Sequence, residues 1–272
     1  MSQQQQEADF IKVPDPKTGP QTKPVDPKNR LAESAISIEL CDVKDAEKIA
    51  EGMYACWPAS AWQKLEPEHL RPPEFSTRVS RFAKRLVPSF AHPHMHWVKA
   101  VLTSTGQVIG IAGWVGPGHP LHNVFRRSAT DFYGWQKTMN WSDEDIADMW
   151  AGVDLKAWED TLAPDDEVRR EVLGDEPHWF LAPLLTWPEF QGRGVAKRLL
   201  NWAIEKADQT DPITPLYLES SAMARPVYMH VGFVPLGKKN MIRRGPAVVR
   251  GWRLRGGGGK ERRRRRIWSR ED

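Results

Sequence analysis

Trp187-Pro188-Glu189-Phe190-Gln191-Gly192-Arg193-Gly194-Val195-Ala196 is the stretch on which the reading of this chain turns. An apolar segment, Trp179–Thr186, leads into it, and a helix is predicted to open at about Gly194. Strand, small-residue turn and helix start together make a ready anion site, because the first backbone N–H groups of a helix have no intrahelical partner and point outward. Gly192, Gly194 and Ala196 let a phosphate approach the backbone without meeting a bulky side chain, and Arg193 adds charge from the rim. The stretch therefore predicts a ligand that carries a pyrophosphate.

Residues separate the glycine-rich loops that bind phosphates. A Gly-x-x-x-x-Gly-Lys-Ser/Thr string occurs nowhere in the chain. The dinucleotide fingerprint fails at its last position, where Lys197 stands in place of glycine. A third pattern, Gln/Arg-x-x-Gly-x-Gly/Ala, is met by Gln191, Gly194 and Ala196. It resembles the pyrophosphate loop of the GNAT superfamily of acyl-CoA-dependent N-acyltransferases. The run Leu216-Tyr217-Leu218-Glu219-Ser220-Ser221, followed by Tyr228 and then Gly232-Phe233, resembles the next strand and helix of the same superfamily. Both motifs stand in the family's order, with room between them for one helix and a return loop. The resemblance is strongest over residues 179–246 and weaker over 36–116. It implies a mixed α/β fold: a mostly antiparallel sheet flanked by helices, with two central strands splayed around the arm of the cofactor.

Composition sets the limits. A chain of 272 residues, 40% apolar and with 13 Trp, holds enough for one sizeable α/β domain. No stretch reaches the ~18 apolar residues of a membrane-spanning helix. The N-terminus lacks the charged-then-apolar form of a secretion signal. With only Cys41 and Cys56, the chain suits a reducing compartment rather than a disulfide framework. A cytoplasmic protein is expected, or a nuclear one if the run Arg262-Arg263-Arg264-Arg265-Arg266 acts as an address. The formal charge of +4 misleads when taken whole, since residues 247–272 hold ten Lys or Arg against three acids. That surplus of +7 leaves −3 for the rest. The expected organisation is a flexible leader over 1–34, a catalytic domain over 35–246 interrupted at about 117–177, and a basic tail over 247–272. The tail reads either as a solvated segment or as a dock for nucleic acid or another anionic partner.

Within the domain, Ile36–Leu40 alternates like a half-buried strand, and a helix starting near Asp45 ends before Pro58. Phe75–Leu86 is predicted as a helix, and residues 97–102 and Val108–Val115 as a β-hairpin. In the interruption, Pro117, Pro120 and Pro164 read as breakers around one amphipathic helix over 142–158, capped by Ser142. This segment is either the selector of the acceptor or a surface excursion. Pro183 is awkward in a buried strand, because proline gives no N–H to a ladder; a splay, an edge or a bulge would each accommodate it.

The resemblance implies acetyl-CoA as donor and a small-molecule or protein amine as acceptor. Gln191, Gly192, Arg193, Gly194, Val195 and Ala196 would hold the pyrophosphate, while the backbone of Leu185 and Thr186 would hold the pantetheine arm like an added strand. Tyr228 matches the tyrosine that protonates the departing thiolate, a phenol of pKa about 10 facing a thiol near about 8.5; the bland alternative is a tyrosine packed on the sheet. Ser221 either contacts the cofactor or caps the following helix, and capping is favoured. No carboxylate stands in the cofactor strand, and the nearest titratable groups in sequence, Asp175, Glu176 and His178, read mainly as a solvated loop end. The competing reading is a GNAT-like module that keeps coenzyme A without turnover. His92-Pro93-His94-Met95-His96 lacks third and fourth ligands at zinc spacing, so no metal site is expected.

Overall fold

The computed structural model describes residues 27–245. Residues 1–26 of the expected leader over 1–34, and all of the expected basic tail over 247–272 with the nucleic-acid and nuclear readings attached to it, lie outside the described residues; the rest of the expected leader, 27–34, is ordered and bonded to the domain through Leu31 and Glu33. Among the described residues, seven strands form a single sheet in the order β1-β2-β3-β4-β5-β7-β6. They are β1 (Ile36–Leu40), β2 (Met95–Leu102), β3 (Val108–Val115), β4 (Trp179–Thr186), β5 (Leu216–Glu219), β6 (Val234–Pro235) and β7 (Asn240–Arg243). Every neighbouring pair is antiparallel except β4 and β5, which run parallel. This is the mixed, mostly antiparallel sheet that the sequence predicts.

Side-chain alternation sends successive strand residues to opposite faces, and each face has its own core. One face carries α1 (Ala46–Cys56), α2 (Ala59–Leu65), α3 (Phe75–Leu86) and the segment between β3 and β4. That segment folds as α4 (Ala129–Phe132), α5 (Trp135–Thr138), α6 (Asp143–Trp150) and α7 (Leu155–Leu173). Trp62, Phe82, Trp97, Phe125, Trp150 and Trp158 build its aromatic centre, with the Arg85 guanidinium lodged 4.5 Å from the Trp150 ring and 4.6 Å from the Phe82 ring. The opposite face is covered by α8 (Val195–Asp208) and α9 (Arg225–His230). Val195, Leu199, Leu200, Ala203 and Ala207 recur at helical spacing along α8 and pack on the sheet.

Two expectations for the interruption are corrected. The single helix expected over 142–158 is two helices, because Gly152 takes a left-handed φ of 88° and Asp154 starts a new helix by accepting from the Ala157 N–H at 2.9 Å. Pro164 breaks nothing and sits inside α7. The helix survives the lost N–H because buried side chains anchor it on both sides, Trp158 against Trp62, Phe82 and Trp150 before the proline, and Asp166, bonded to Asn123 and Arg126, with Arg169 on Phe180 after it. Ser142 caps α6 as predicted, its hydroxyl accepting from the Asp145 N–H at 3.1 Å.

Candidate active site

The site begins where β4 and β5 part. Their pairing consists of Trp179↔Leu216, Phe180↔Tyr217 and Leu181↔Leu218 and goes no further. Beyond it, β4 keeps only β3 as a partner, through Leu184↔Ala112, Leu185↔Ile111 and Thr186↔Gly110. Between Ala112 and Trp114 the register shifts, so that β4 holds one more residue than β3 over the same length. That bulge contains Pro183, which resolves the awkward proline: the missing N–H falls where the ladder is already interrupted. The second edge of β4 over 182–186 is thus open towards β5.

At the far end of this edge the chain turns into α8. Trp187 donates from its N–H to the Ile109 carbonyl at 3.1 Å, and Pro188–Phe190 forms a 3-10 turn. The Gln191 side-chain amide donates back to the Thr186 carbonyl at 3.1 Å, and the Cys56 thiol reaches the same oxygen at 3.3 Å. Gly192 and Gly194 both take left-handed φ values, 70° and 88°. Gly194 precedes the first residue of α8 and brings no capping side chain to the helix N–H groups. Residues just after the described N-terminus close over the turn. The Leu31 N–H donates to the Arg193 carbonyl at 3.1 Å, Arg198 donates to the Glu33 carbonyl at 2.7 Å, and a Cβ at Gly194 would lie 3.8 Å from Cγ of Arg30. Arg30, beside Gly194, and Arg193, over the Phe190 ring, bring positive charge to the turn itself.

The other end, where the strands separate, is lined from both faces. Tyr228 of α9 is only 6% exposed and packs edge-on against Phe233 at 5.9 Å. Burial pushes its phenol well above the ordinary tyrosine range, and the charge of Glu219 pushes the same way. Glu219 is the residue after the last β4–β5 pair and by alternation shares the face of Tyr217. Burial pushes its carboxyl up to about 8, with Arg169 opposing, Asp165 adding, Lys239 opposing and Asp166 adding. Its Oε1 is buried without a hydrogen-bond partner. Helix α7 supplies most of these neighbours. Arg169 stacks its guanidinium 3.8 Å from the Phe180 ring centre and donates to Asp166 at 3.0 Å, leaving its Nε buried and unpartnered. Asp166 also accepts from the Asn123 N–H and from Arg126, both at 3.0 Å. Asp165 pairs with Lys239 from the turn between β6 and β7.

Residues 173–250 match a family model described as an acetyltransferase (GNAT) domain. This segment is a GNAT domain. Among solved structures, an N-acetyltransferase from Staphylococcus aureus is similar at 17% identity over 76% of this chain and 98% of that one, with a TM-score of 0.46. An arylalkylamine N-acetyltransferase from Aedes aegypti is similar at 13% identity over 76% and 98%, with a TM-score of 0.45. A histone acetyltransferase and related acetyltransferase from Corynebacterium glutamicum is similar at 17% identity over 76% and 94%, with a TM-score of 0.44. No curated protein matches the chain significantly in sequence.

Of the residues singled out from the sequence, Leu185, Thr186 and the turn 191–196 lie along the β4 side of the gap, whereas Tyr228 is packed in the core under α9, near enough to Glu219 for that charge to act on its phenol. Two of the turn residues are structural: Val195 is a core residue at 1% exposure, and Gln191 clasps the turn to the end of β4. Leu185 also points its side chain into the core, so that only its backbone borders the gap. The Ser221 hydroxyl accepts from the Ala224 N–H at 3.2 Å, which closes the turn ahead of α9; the cap of α9 itself is Ala224 and brings no side-chain bond, so the capping expected of Ser221 falls one turn short of the helix. The loop ahead of β4 contributes no titratable side chain to the gap. Glu176 is held by Arg244 through contacts of 2.6 and 2.7 Å, which keep its carboxyl below the usual range. Asp175 is exposed, and His178 donates from Nδ1–H to the Glu176 carbonyl at 2.7 Å, with burial lowering its pKa. Glu219 was not assigned a role from sequence. The signal for it was a lone acid closing an apolar strand, Leu216-Tyr217-Leu218-Glu219.

The histidines lie apart from the gap. His92 and His119 pack at 4.5 Å between ring centres, with Tyr133 5.4 Å from His119, and burial lowers His119 to about 4. Among the described residues no group of three His, Cys, Asp or Glu side chains is arranged to hold a metal ion. Among the same residues no helix is long and apolar enough to cross a membrane.

Proposed function

We propose that this GNAT domain moves an acetyl group from acetyl-CoA to a primary amine by direct attack. The observation that carries the reading is the parting of β4 from β5 after Leu181↔Leu218, with the open edge of β4 running straight into a glycine turn at the start of α8. The residues present fit such a donor. Backbone groups of 182–186 on the open edge, Leu185 and Thr186 among them, bind an extended pantetheine arm as a strand would. The side-chain-free rim at Gly192 and Gly194 and the first N–H groups of α8 receive the pyrophosphate, with Arg30 and Arg193 adding charge.

In this reading a β4 N–H at the bulge polarises the thioester carbonyl, the N–C bond forms as the C–S bond breaks, and Tyr228 gives its proton to the thiolate. A phenol whose pKa is raised by burial is a reluctant acid in isolation. The thiolate is generated in the same dry environment, which raises its own basicity and keeps the transfer feasible.

Titration calorimetry of acetyl-CoA into the full chain tests the reading, with micromolar binding as the expected result. Absence of binding in folded protein would remove it. Tyr228→Phe should lower kcat by about 100-fold while leaving the KM for acetyl-CoA unchanged, since the hydroxyl serves only the departing sulfur. An unchanged kcat would return Tyr228 to a packing role.

A further inference from the structure

Acetyl transfer leaves a proton to be placed. An amine arrives at neutral pH as an ammonium ion and has no lone pair until it sheds one. The cofactor strand holds no acid, and Glu176, ahead of it, is occupied by Arg244. Glu219 stands at the point where β4 and β5 separate, on the sheet face covered by α7, while Tyr228 approaches from the face covered by α8 and α9. The two groups are close enough for the carboxylate charge to act on the phenol. Glu219 Oε1 and Arg169 Nε are both buried and both lack a hydrogen-bond partner, whereas buried polar atoms of purely structural role are nearly always paired.

We propose that Glu219 is the proton acceptor for the attacking amine, positioned by Arg169 of α7. The proposal rests on the acetyl-transfer reading above. Glu219 takes a proton from the ammonium nitrogen, and the freed lone pair forms the N–C bond. The C–S bond breaks, the thiolate takes its proton from Tyr228, the second nitrogen proton is lost as the amide forms and is returned through water to the Tyr228 phenolate, and Glu219 releases its proton to solvent. Over the cycle, ammonium and thioester give amide, thiol and one proton released to solvent. The segment between β3 and β4 thereby acquires a function: its last helix sets the charge around the base.

The groups facing Glu219 are Asp165, Asp166 and Arg169 from α7, Lys239 from the β6–β7 turn, Tyr217 from its own strand and Tyr228 from α9. With the carboxyl lifted to about 8, the base is charged, and so competent, above that pH. The rate should therefore rise with pH and level off once Glu219 has ionised. Thiol release from acetyl-CoA is followed with agmatine, with tryptamine and with water alone as acceptor, beside calorimetry of acetyl-CoA on the same proteins.

Wild type is expected to show a break near pH 8. In Glu219→Gln, kcat/KM for the amine should fall at least 100-fold and the break should vanish, so that the rate follows the ionisation of the free amine alone. Acetyl-CoA affinity should stay within twofold. Its melting temperature at pH 8 should be no lower than that of wild type, because the raised carboxyl pKa makes the native state less stable as pH climbs from the unfolded value of a glutamate towards 8. Glu219→Asp should keep a break with a reduced kcat. Arg169→Met should move the break upward, since the guanidinium holds the carboxyl pKa down. A Glu219→Gln protein that keeps the break, or a rate within threefold of wild type, overturns the proposal. So does a wild type that binds acetyl-CoA yet releases no thiol with amine or water. A wild type that fails to bind acetyl-CoA instead removes the acetyl-transfer reading itself, and calorimetry tells these cases apart.

Discussion

Gly194→Trp abolishes acetyl-CoA binding in a protein that still folds: this is the expected result with the largest effect on function. Gly194 takes a φ of 88°, a region that costs an L-residue about 1–2 kcal/mol. In space the position is permissive, because the nearest atom to an added Cβ is Cγ of Arg30 at 3.8 Å, the stem of a flexible side chain. An indole there lies over the first N–H groups of α8, where the pyrophosphate would be received. The fold should lose only the backbone cost, a drop of about 2–8 °C in melting temperature for a protein of this size. The dissociation constant for acetyl-CoA should rise at least 100-fold by calorimetry. Gly194→Ala separates the two effects, since it carries the backbone cost and almost none of the obstruction. If Gly194→Trp binds within threefold of wild type, the turn is not the phosphate site.

The features legible in the sequence were those whose chemistry is local. Gln191, Gly194 and Ala196 sit within six residues of one another, and the identity of each follows from what a turn into a helix requires. The run from Leu216 to Phe233 likewise encodes a strand, a turn closed by Ser221 and a short helix in continuous sequence. The two faces of the sheet followed from period, because apolar spacing reports which side of an element is buried and needs no knowledge of what lies opposite.

What escaped the sequence is what depends on elements distant along the chain. Glu219 is an ordinary strand-end acid until α7, fifty residues upstream, places Asp165, Asp166 and Arg169 beside it. No period or motif in 155–173 announces that this helix covers the apex of the splay. Pro164 shows the same limit in reverse. Its local preference is to break a helix, and the buried side chains on either side of it overrule that preference. Gln191 was read as part of a phosphate cradle, and its side chain turns out to clasp the end of β4. The loop motif specifies the shape of the turn at least as much as it specifies contacts to a ligand.

The splay depends on a glycine that no loop motif contains. Gly113 of β3 faces the β4 bulge, where a Cβ would overlap the Ala182 carbonyl oxygen and would also lie 2.9 Å from Cζ3 of Trp97. Both obstacles resist displacement: one is backbone, the other a ring at 2% exposure in the aromatic core. Gly113 is not among the glycines with left-handed φ, so an alanine there costs nothing in backbone conformation and everything in space. Gly113→Ala should therefore destabilise the protein by about 3 kcal/mol, at the upper end of overpacking effects, read as a lower urea midpoint at unchanged slope. Gly106→Ala is the counterpart. It carries a φ of 73° with nothing within 4 Å of the added Cβ, and should cost about 1–2 kcal/mol. The bulge bends β4 away from β5, so the part of the Gly113→Ala population that remains folded should also bind acetyl-CoA more weakly, although residue 113 touches no part of the proposed cradle. A Gly113→Ala protein within 1 kcal/mol of wild type would mean that β4 can yield at Ala182 without loss, and the bulge would then not be what holds the gap open.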